Sequence, residues 1–359
     1  MKKIGFVTTD LTVGGAQTWL VNITRLLADF GHEVHIFLLA PRISLPPSHD
    51  VHLHFVCKNG KYNSSRWLKR YAPEKLYEFV DRLGPFNLII STLPFSDKIC
   101  KKSGIKPIVY RIANTLSEEI KFLGRLKGIR RKYFYKTLYK NQKLISVSNG
   151  VTEDLVKYFS FERTNISTIN NPIDINRLTE MAARYEPQID SPYLLHSGRF
   201  ARQKRHDVLL DSFAHYLKIS QSHEPKKLVL LCQKEKKLNE MIKARGLADS
   251  VLNIGFQQNP FPWYLKSSCN ILASDREGMP NIILESIALA TPVASTDCPS
   301  GPKEILGKNF PQCIAQIGNP VSLANAIRNA LACKINPRLD LPPDFQVDSA
   351  VAKIIDLSK

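Results

Sequence analysis

The chain has 359 residues, of which 43% are hydrophobic and 23% charged, with a formal net charge of +18. We expect two domains, because this length exceeds one ordinary domain, and the composition excludes an intrinsically disordered chain. Apolar runs are shorter than the roughly 18 residues of a membrane span, and we expect no signal peptide at the start.

Cysteine usage and charge distribution narrow the class further. The seven cysteines are scattered without a CxxC pair, which argues against a disulfide framework or zinc knuckle and favours a cytoplasmic protein. Residues 58–143 hold 21 Lys or Arg and six Asp or Glu, a net charge of +15. This basic first half predicts a polyanionic partner, either an anionic membrane surface or nucleic acid, with a solubilising surface as the alternative.

Short stretches rich in Ile, Val and Phe alternate with helical patterns through the first half of the chain. The predicted strands are Ile4–Thr8, Glu33–Leu39, Val51–Val56, Asn87–Ser91, Ile108–Arg111 and Leu144–Ser148. The predicted helices are Ala16–Phe30, Pro73–Leu83, Ser117–Tyr139 and Thr152–Phe159. This alternation predicts a parallel sheet with helices on both faces.

The alternation breaks at Asn170–Asn176, where Asn171-Pro172 marks a turn, and we place an interdomain linker there that continues through Tyr185–Pro192. The pattern then restarts. The predicted strands are Tyr193–Ser197, Lys227–Leu231, Val251–Ile254, Asn270–Ala273, Pro292–Ser295 and Cys313–Ile317. The predicted helices are Asp207–Leu217, Lys236–Arg245, Asn281–Ala290, Pro320–Leu331 and Asp348–Asp356.

The sequence therefore predicts an α/β protein of two doubly wound, Rossmann-like domains that face a cleft. We assign residues 1–172 to the first domain and residues 173–344 to the second. Ligands of open parallel sheets bind outside the carboxyl ends of the strands, so the loops that follow strands hold the candidate site residues.

The first such loop contains Gly14, Gly15 and Ala16 and opens a helix. Two glycines let a ligand approach the backbone, and a helix N-terminus attracts anions, although a plain strand-to-helix turn is the alternative. Neither a GxG dinucleotide motif nor a GxxxxGK[ST] P-loop occurs in the chain.

The second loop contains Gly198, Arg199 and Lys204. Its fixed positive charge can stabilise a nucleotide diphosphate leaving group, and a solvated basic loop is the alternative. Because the chain has no DxD motif, we expect neither a metal nor a cofactor at the diphosphate.

The third loop runs from Glu277 to Asn281, and the helix that follows carries Glu285. The two carboxylates can accept hydrogen bonds from different hydroxyls of a nucleotide sugar, while backbone N–H groups at Gly278 and Met279 suit phosphate. Glu285 lies in an apolar stretch, where an unpaired carboxylate is costly, so a helix-surface glutamate is the weaker alternative.

The segment from Glu277 to Glu285, followed by Ala290–Ser295 and Cys298–Leu306, resembles the signature of the retaining glycosyltransferases of family 4, which have the GT-B fold. Their bacterial members act in lipopolysaccharide, capsule and glycolipid synthesis. The Gly14-Gly15 loop and the Asn171-Pro172 linker occur in the family's order. The resemblance implies a tail helix within residues 345–359 that crosses back onto the first domain.

The resemblance also implies roles for individual residues. Arg199 and Lys204 would hold the diphosphate of a nucleotide-sugar donor, expected to be a UDP-sugar, with Glu277 facing the sugar and Glu285 binding the ribose. The remaining donor-side candidates would line the phosphate and sugar pocket (Gly278, Met279, Pro280, Asn281) or border the base (Phe256, Gln257). The reaction would be metal-independent, with retention of anomeric configuration.

On the acceptor side, many family members have a histidine in the loop after the fifth strand, and the chain has none there. Arg111 and Asn114 are the candidate substitutes, and a saccharide or lipid-linked acceptor is expected. Residues 121–135 mix cations with apolar and aromatic residues at helical spacing. That pattern is typical of a helix lying on an anionic bilayer, at the inner face of the cell membrane; a core-facing helix with a basic outer face is the alternative.

Two other functions fit parts of the sequence. A GT-B-fold sugar-nucleotide epimerase shares the architecture but not the context of Glu277 and Glu285. A nucleic-acid-binding protein would explain the charge, but no RNA-binding or helix-turn-helix signature accompanies it, so we expect no nucleic-acid partner.

Overall fold

The computed structural model describes residues 1–12, 14–57, 65–233 and 235–359, with the backbone alone for residues 65–69. Residues 58–64 of the basic window lie outside the described part. The chain divides into two compact units, Met1–Pro172 with Val347–Lys359, and Ile173–Gln346. Each unit is built on one parallel sheet, which confirms the predicted α/β class with two doubly wound, Rossmann-like domains.

The sheet of the first unit has the strand order β3-β2-β1-β4-β5-β6-β7. Its strands are β1 Lys3–Thr8, β2 Glu33–Leu38, β3 His52–Phe55, β4 Leu88–Thr92, β5 Ile108–Ile112, β6 Leu144–Ser146 and β7 Ile166–Thr168. Its helices are α1 Gly15–Asp29, α2 Ser65–Arg82, α3 Pro94–Ser103, α4 Leu116–Lys121, α5 Arg125–Tyr139, α6 Asn149–Phe159 and α15 Val347–Asp356.

The central strands of this sheet are buried along their length, which explains their continuous apolar sequence. Helix α1 places one apolar face, including Trp19 and Leu20, on the sheet. Helix α15 adds Val351 and Ile354 to the same core. Each such aliphatic side chain contributes about 1.5–3 kcal/mol of hydrophobic free energy.

Several predicted boundaries in this unit were wrong. The predicted helix Ser117–Tyr139 is two helices, because the chain turns at Gly124, the N-cap of α5. Helix α2 continues through Pro73 rather than starting there. Helix α3 and the three-residue strand β7 were missed, since neither is long enough to show a clear period.

The sheet of the second unit has the order β10-β9-β8-β11-β12-β13. Its strands are β8 Tyr193–Ser197, β9 Lys227–Leu231, β10 Val251–Asn253, β11 Cys269–Leu272, β12 Val293–Thr296 and β13 Ile314–Ala315. Its helices are α7 Ile175–Ala182, α8 His206–Ile219, α9 Lys236–Lys243, α10 Phe261–Lys266, α11 Asn281–Ala288, α12 Pro302–Leu306, α13 Pro320–Leu331 and α14 Pro337–Asp340.

Helix α7 corrects the predicted linker, which was expected to run on from Asn176. Asp174 caps this helix by accepting a hydrogen bond from the backbone N–H of Arg177 at 3.1 Å. Among the described helices, none combines the length and apolarity that a bilayer crossing needs.

Each sheet has one switch point, a pair of neighbouring strands from which the chain continues toward opposite edges of the sheet. In the first unit it lies between β1 and β4, and in the second between β8 and β11. Because the carboxyl ends of these strands diverge into loops on opposite faces, such a point leaves a crevice where ligands bind.

Candidate active site

Two predicted loops meet at the switch point of the second unit. Strands β8 and β11 pair in parallel, so the loop that ends at Lys204 and the loop that contains Glu277 leave the same edge of the sheet. Lys204 Nζ donates a hydrogen bond to Glu277 Oε1 at 2.8 Å, and the two side chains remain 20% and 10% exposed. The structure thus brings together a cation and a carboxylate that are 73 positions apart.

Neighbouring contacts hold these two loops in place. The backbone N–H of Asp275 donates to the carbonyl of Gln203 at 2.9 Å, and Gln203 Nε2 donates to the carbonyl of Arg276 at 2.7 Å. Arg205, in the left-handed region at φ 46°, binds Asp207 through two guanidinium nitrogens and Asp275 at 2.8 Å. Sequence reasoning missed Gln203, Arg205 and Asp275, since only the proximity of Arg205 to Asp207 is visible along the chain.

The loop that follows β12 supports the Glu277–Asn281 loop from the other side. Gly301 has φ +105°, and a Cβ at that position would lie 2.3 Å from Pro280 Cδ. Glycine is therefore required there both by backbone conformation and by close approach. Gly278, Met279 and Pro280 are buried, while Asn281 at the start of α11 is half-buried.

Glu285 is the fifth residue of α11 and is half-buried. Within the described residues, no hydrogen bond or ion pair engages its carboxylate. Burial raises the pKa of this carboxyl to about 7. Such a carboxylate gains stability from any external hydroxyl that donates to it.

Two buried histidines lie beneath the Lys204 loop. His196 Nδ1 bonds the carbonyl of Ile271 at 2.9 Å, and its ring lies 5.0 Å from that of His206. Burial lowers the pKa of His196 to about 3 and that of His206 to about 4, so both rings are neutral at pH 7. A Cβ at Gly198 would lie 3.2 Å from His196 Nε2, so this glycine packs directly on the pair.

The remaining donor-side predictions lie on the surface of the second unit. Arg199 is exposed, and its guanidinium has no ion pair or hydrogen bond within the described residues. Phe256 is 49% exposed and, with Gln257, follows the outermost strand β10. Within the described residues, no hydrogen bond or ion pair joins any of these three side chains to the Lys204–Glu277 pair.

In the first unit, Gly14 and Gly15 lie between β1 and α1, at the switch point, where the sequence predicted them. Gly14 is the N-cap of α1, and Gly15 is exposed, with no atom of the described residues within 4 Å of a hypothetical Cβ. Packing therefore does not require glycine at residue 15, which leaves its backbone open to a ligand. Ala16 is half-buried in the first turn.

Arg111 lies inside β5 rather than in the loop after it. Its guanidinium lies 3.7 Å from the centre of the Trp19 ring, and Nη2 donates to Asn171 Oδ1 at 2.8 Å. The side chain is only 3% exposed, and burial lowers its pKa to about 9. Asn114, the other acceptor-side candidate, is exposed.

Comparison with known families matches both halves of the chain. Residues 13–177 match the family described as "Glycosyltransferase Family 4". Residues 191–333 match the family described as "Glycosyl transferases group 1". The matched ranges include the loops of Lys204 and Glu277 in the second unit and the loop of Gly14 in the first.

Three curated relatives illustrate the range of similar proteins. An uncharacterized glycosyltransferase of Methanocaldococcus jannaschii is 29% identical over 61% of this chain and 55% of its own length. The Campylobacter jejuni N-acetylgalactosamine-N,N'-diacetylbacillosaminyl-diphospho-undecaprenol 4-alpha-N-acetylgalactosaminyltransferase is 25% identical over 92% of this chain and 90% of its own. The lipopolysaccharide 1,6-galactosyltransferase of Escherichia coli is 25% identical over 76% of this chain and 69% of its own length.

Among solved structures, S. aureus TarM in complex with Fondaparinux, alpha-GlcNAc-glycerol and UDP superposes with a TM-score of 0.79. The comparison covers 100% of both chains at 13% sequence identity. At that identity the likeness establishes a shared fold.

Proposed function

From the premise that this chain is a glycosyltransferase of the GT-B type, with a family 4 domain followed by a group 1 domain, we propose a sugar-transfer reaction. The sugar moves from a nucleotide-diphosphate sugar to a lipid-linked saccharide or lipopolysaccharide glycan. The anomeric configuration is retained and no metal takes part. The Lys204–Glu277 pair at the switch point carries the proposal, because it places a cation and a carboxylate where a ligand binds.

Each group in this site has a role in the proposal. Lys204 and Arg199 stabilise the negative charge that develops on the departing diphosphate, and Lys204 is held in place by Glu277 until the donor enters. Glu277 then faces the donor sugar, and Glu285, which lacks a partner in the described residues, accepts hydrogen bonds from the ribose. Backbone N–H groups of Gly278 and Met279 support the phosphates.

The donor and product experiments test this directly. Thermal shift with UDP-, GDP- and ADP-sugars identifies the donor, with a UDP-sugar as the expected one. Proton NMR of the product made on a diphospho-undecaprenol saccharide then reports the anomeric linkage, which we expect to match that of the donor. An inverted linkage overturns retention, and release of a free epimerised nucleotide sugar without transfer supports the epimerase instead.

The membrane side of the proposal rests on α5. Leu126, Ile129 and Tyr133 recur on one face of this helix and are 79%, 60% and 73% exposed. Exposed Arg125, Lys127 and Arg130 flank or share that face. Apolar side chains beside cations suit the interface of an anionic bilayer, and the Campylobacter jejuni relative is named for a diphospho-undecaprenol acceptor.

Vesicle sedimentation tests the membrane role. We expect binding to phosphatidylethanolamine vesicles that contain phosphatidylglycerol, and a loss of binding when Leu126, Ile129 and Tyr133 are replaced by Ser. Leu339→Ser, a substitution of a residue 77% exposed in the second unit, is the matched control. Equal vesicle binding by the α5 variant and the Leu339→Ser control overturns the assignment of α5. If the protein does not bind vesicles but gives a salt-sensitive gel shift with nucleic acid, the nucleic-acid function is favoured.

A further inference from the structure

Three metal-ligating side chains converge at the edge of the first unit's sheet. Strands β2 and β3 pair in parallel with His35 opposite His52. Glu33 and His35 are two positions apart on β2, so their side chains leave the same face of the sheet. One ligand atom from each of Glu33, His35 and His52 lies within 4.8 Å of the others.

The distances approach those of a metal site. His35 Nε2 and Glu33 Oε1 are 2.9 Å apart, and two ligand atoms of a tetrahedral zinc ion are about 3.3 Å apart. The rings of His35 and His52 have centroids 4.8 Å apart. His52 is exposed, so its side chain has room to rotate toward the other two ligand atoms, which lie within 4.8 Å.

A fourth side chain orients the buried ligand. His35 is 4% exposed, and its Nδ1 lies 2.9 Å from His54 Nε2. A histidine that ligates a metal generally donates its other ring N–H to an acceptor, which fixes the ring. His54, stacked on Phe37 with centroids 5.1 Å apart, supplies that acceptor.

We propose that Glu33, His35 and His52 bind one divalent transition-metal ion of the zinc class, with a water molecule as the fourth ligand. Two imidazoles and one carboxylate favour Zn²⁺, Co²⁺ or Ni²⁺ over Mg²⁺ and Ca²⁺, which prefer oxygen ligands. The metal replaces the proton at His35 Nε2. Both histidines then stay neutral and keep one proton each. His35 carries its proton on Nδ1 and donates it to Nε2 of His54, and His54 carries its own proton on Nδ1.

Lys3 competes with the metal. Its Nζ lies 3.0 Å from Glu33 Oε1 and donates to the carbonyl of Leu83 at 2.7 Å. Arg82, stacked on Phe79 at 4.8 Å, adds positive charge near His54. A bound cation must displace the Lys3 ammonium from Glu33, so removing this ammonium should tighten metal binding.

The position of the cluster indicates a structural role. Glu33 and His52 are the first residues of β2 and β3, and His35 lies three residues before the end of β2, about 10 Å from the carboxyl edge. The metal would therefore not touch groups at the switch point. It would fasten the four-residue edge strand β3 to β2, and its stabilisation of the unit would rise with the logarithm of the free metal concentration.

Metal-dependent unfolding tests this proposal on the full, untagged chain after treatment with EDTA. With free Zn²⁺ at 100 times its Kd, we expect the first unit's Tm to rise by about 5–10 °C. His52→Gln should abolish the rise, whereas His49→Gln, at a side chain 92% exposed outside the cluster, should keep it. No rise in the wild type, or an equal rise in His52→Gln, overturns the site.

Two further measurements guard against binding elsewhere. Cys313 Sγ and Cys333 Sγ are 3.6 Å apart in the second unit, so all variants carry Cys333→Ser to remove this thiol pair. In that background, Co²⁺ should give the visible absorption of a tetrahedral site with one ion per chain, and Mg²⁺ should give no Tm rise. Lys3→Met should lower the Kd for Zn²⁺ several-fold. Co²⁺ absorption that persists in His52→Gln contradicts the proposal, as does a higher Kd in Lys3→Met.

Discussion

The two units have comparable switch points, but the predicted site cations Lys204 and Arg111 lie in different surroundings. In the second unit, Lys204 and Glu277 keep 20% and 10% of their side chains exposed and pair across two loops. In the first unit, Arg111 on β5 is 3% exposed and packed against Trp19. A partly exposed pair can exchange its partner for a ligand, whereas a buried cation belongs to the packing.

The Lys204–Glu277 pair should therefore dominate activity. We expect Lys204→Ala and Glu277→Gln each to lower kcat/KM by about 10²–10³, because a fixed group that stabilises transition-state charge contributes about 2.7–4 kcal/mol. Steady-state kinetics with the identified donor provide the measurement. Lys236→Ala and Glu240→Gln, at an exposed pair 3.9 Å apart, are the matched controls and should be silent. Full activity in either site variant would reject that residue's role.

Arg111 should instead dominate the stability of its unit. Arg111→Ala leaves a cavity beside Trp19 and removes the donor to Asn171, so we expect a loss of about 2–4 kcal/mol in urea unfolding. Arg111→Met keeps the volume without the buried charge and should be close to neutral. If this folded variant has an unchanged KM for the acceptor, the acceptor-side role predicted for Arg111 is wrong.

Glu285 makes the stability of the second unit depend on pH, because its carboxyl is buried without a hydrogen bond or ion pair in the described residues. Its pKa is raised to about 7 in the fold, so the ionised form is disfavoured there and destabilises the unit as pH rises. The destabilisation is absent below the ordinary pKa, near 4.5, and reaches its full value, at most about 3 kcal/mol, above pH 7. Glu285→Gln should remove it, so the variant should gain stability over the wild type between these limits.

Unfolding free energies of wild type and variant across pH check this. Asp97 in the first unit also has a pKa raised by burial to about 7, so only the difference between the two proteins isolates Glu285. Glu240→Gln, at a side chain 63% exposed, should give a difference that does not change with pH. A pH-independent difference for Glu285→Gln would contradict the assignment.

The smallest expected effect concerns Ala290, which follows the end of α11. Its φ is +56°, a left-handed conformation that a Cβ disfavours. Ala290→Gly should therefore stabilise the second unit by about 0.5–1 kcal/mol in urea unfolding. Ala244→Gly, at a right-handed helix end with φ −61°, should destabilise it by a similar amount. Destabilisation by Ala290→Gly would contradict the left-handed strain assigned to this residue.

Much of the fold could be predicted because strands such as β1, β2 and β8 are continuous apolar stretches bounded by turn residues. Helix α7 was mistaken for a linker, since the Asn-Pro turn before it dominated the local pattern. In the site, the loops of Lys204 and Glu277 were found because charge and glycine follow strands there. The importance of Gly301 was not, since its contact with Pro280 joins loops after different strands.

By itself the sequence determined the alternation of strands and helices, the two Rossmann-like sheets and the loops that hold charge, because periodicity and turn chemistry act over a few residues. Strand order is set by the packing of distant segments, and only the tertiary structure decided that β8 lies beside β11 and β2 beside β3. That order pairs Lys204 with Glu277 and gathers Glu33, His35 and His52. The burial of Arg111, which packs its guanidinium against Trp19, also depends on those neighbours.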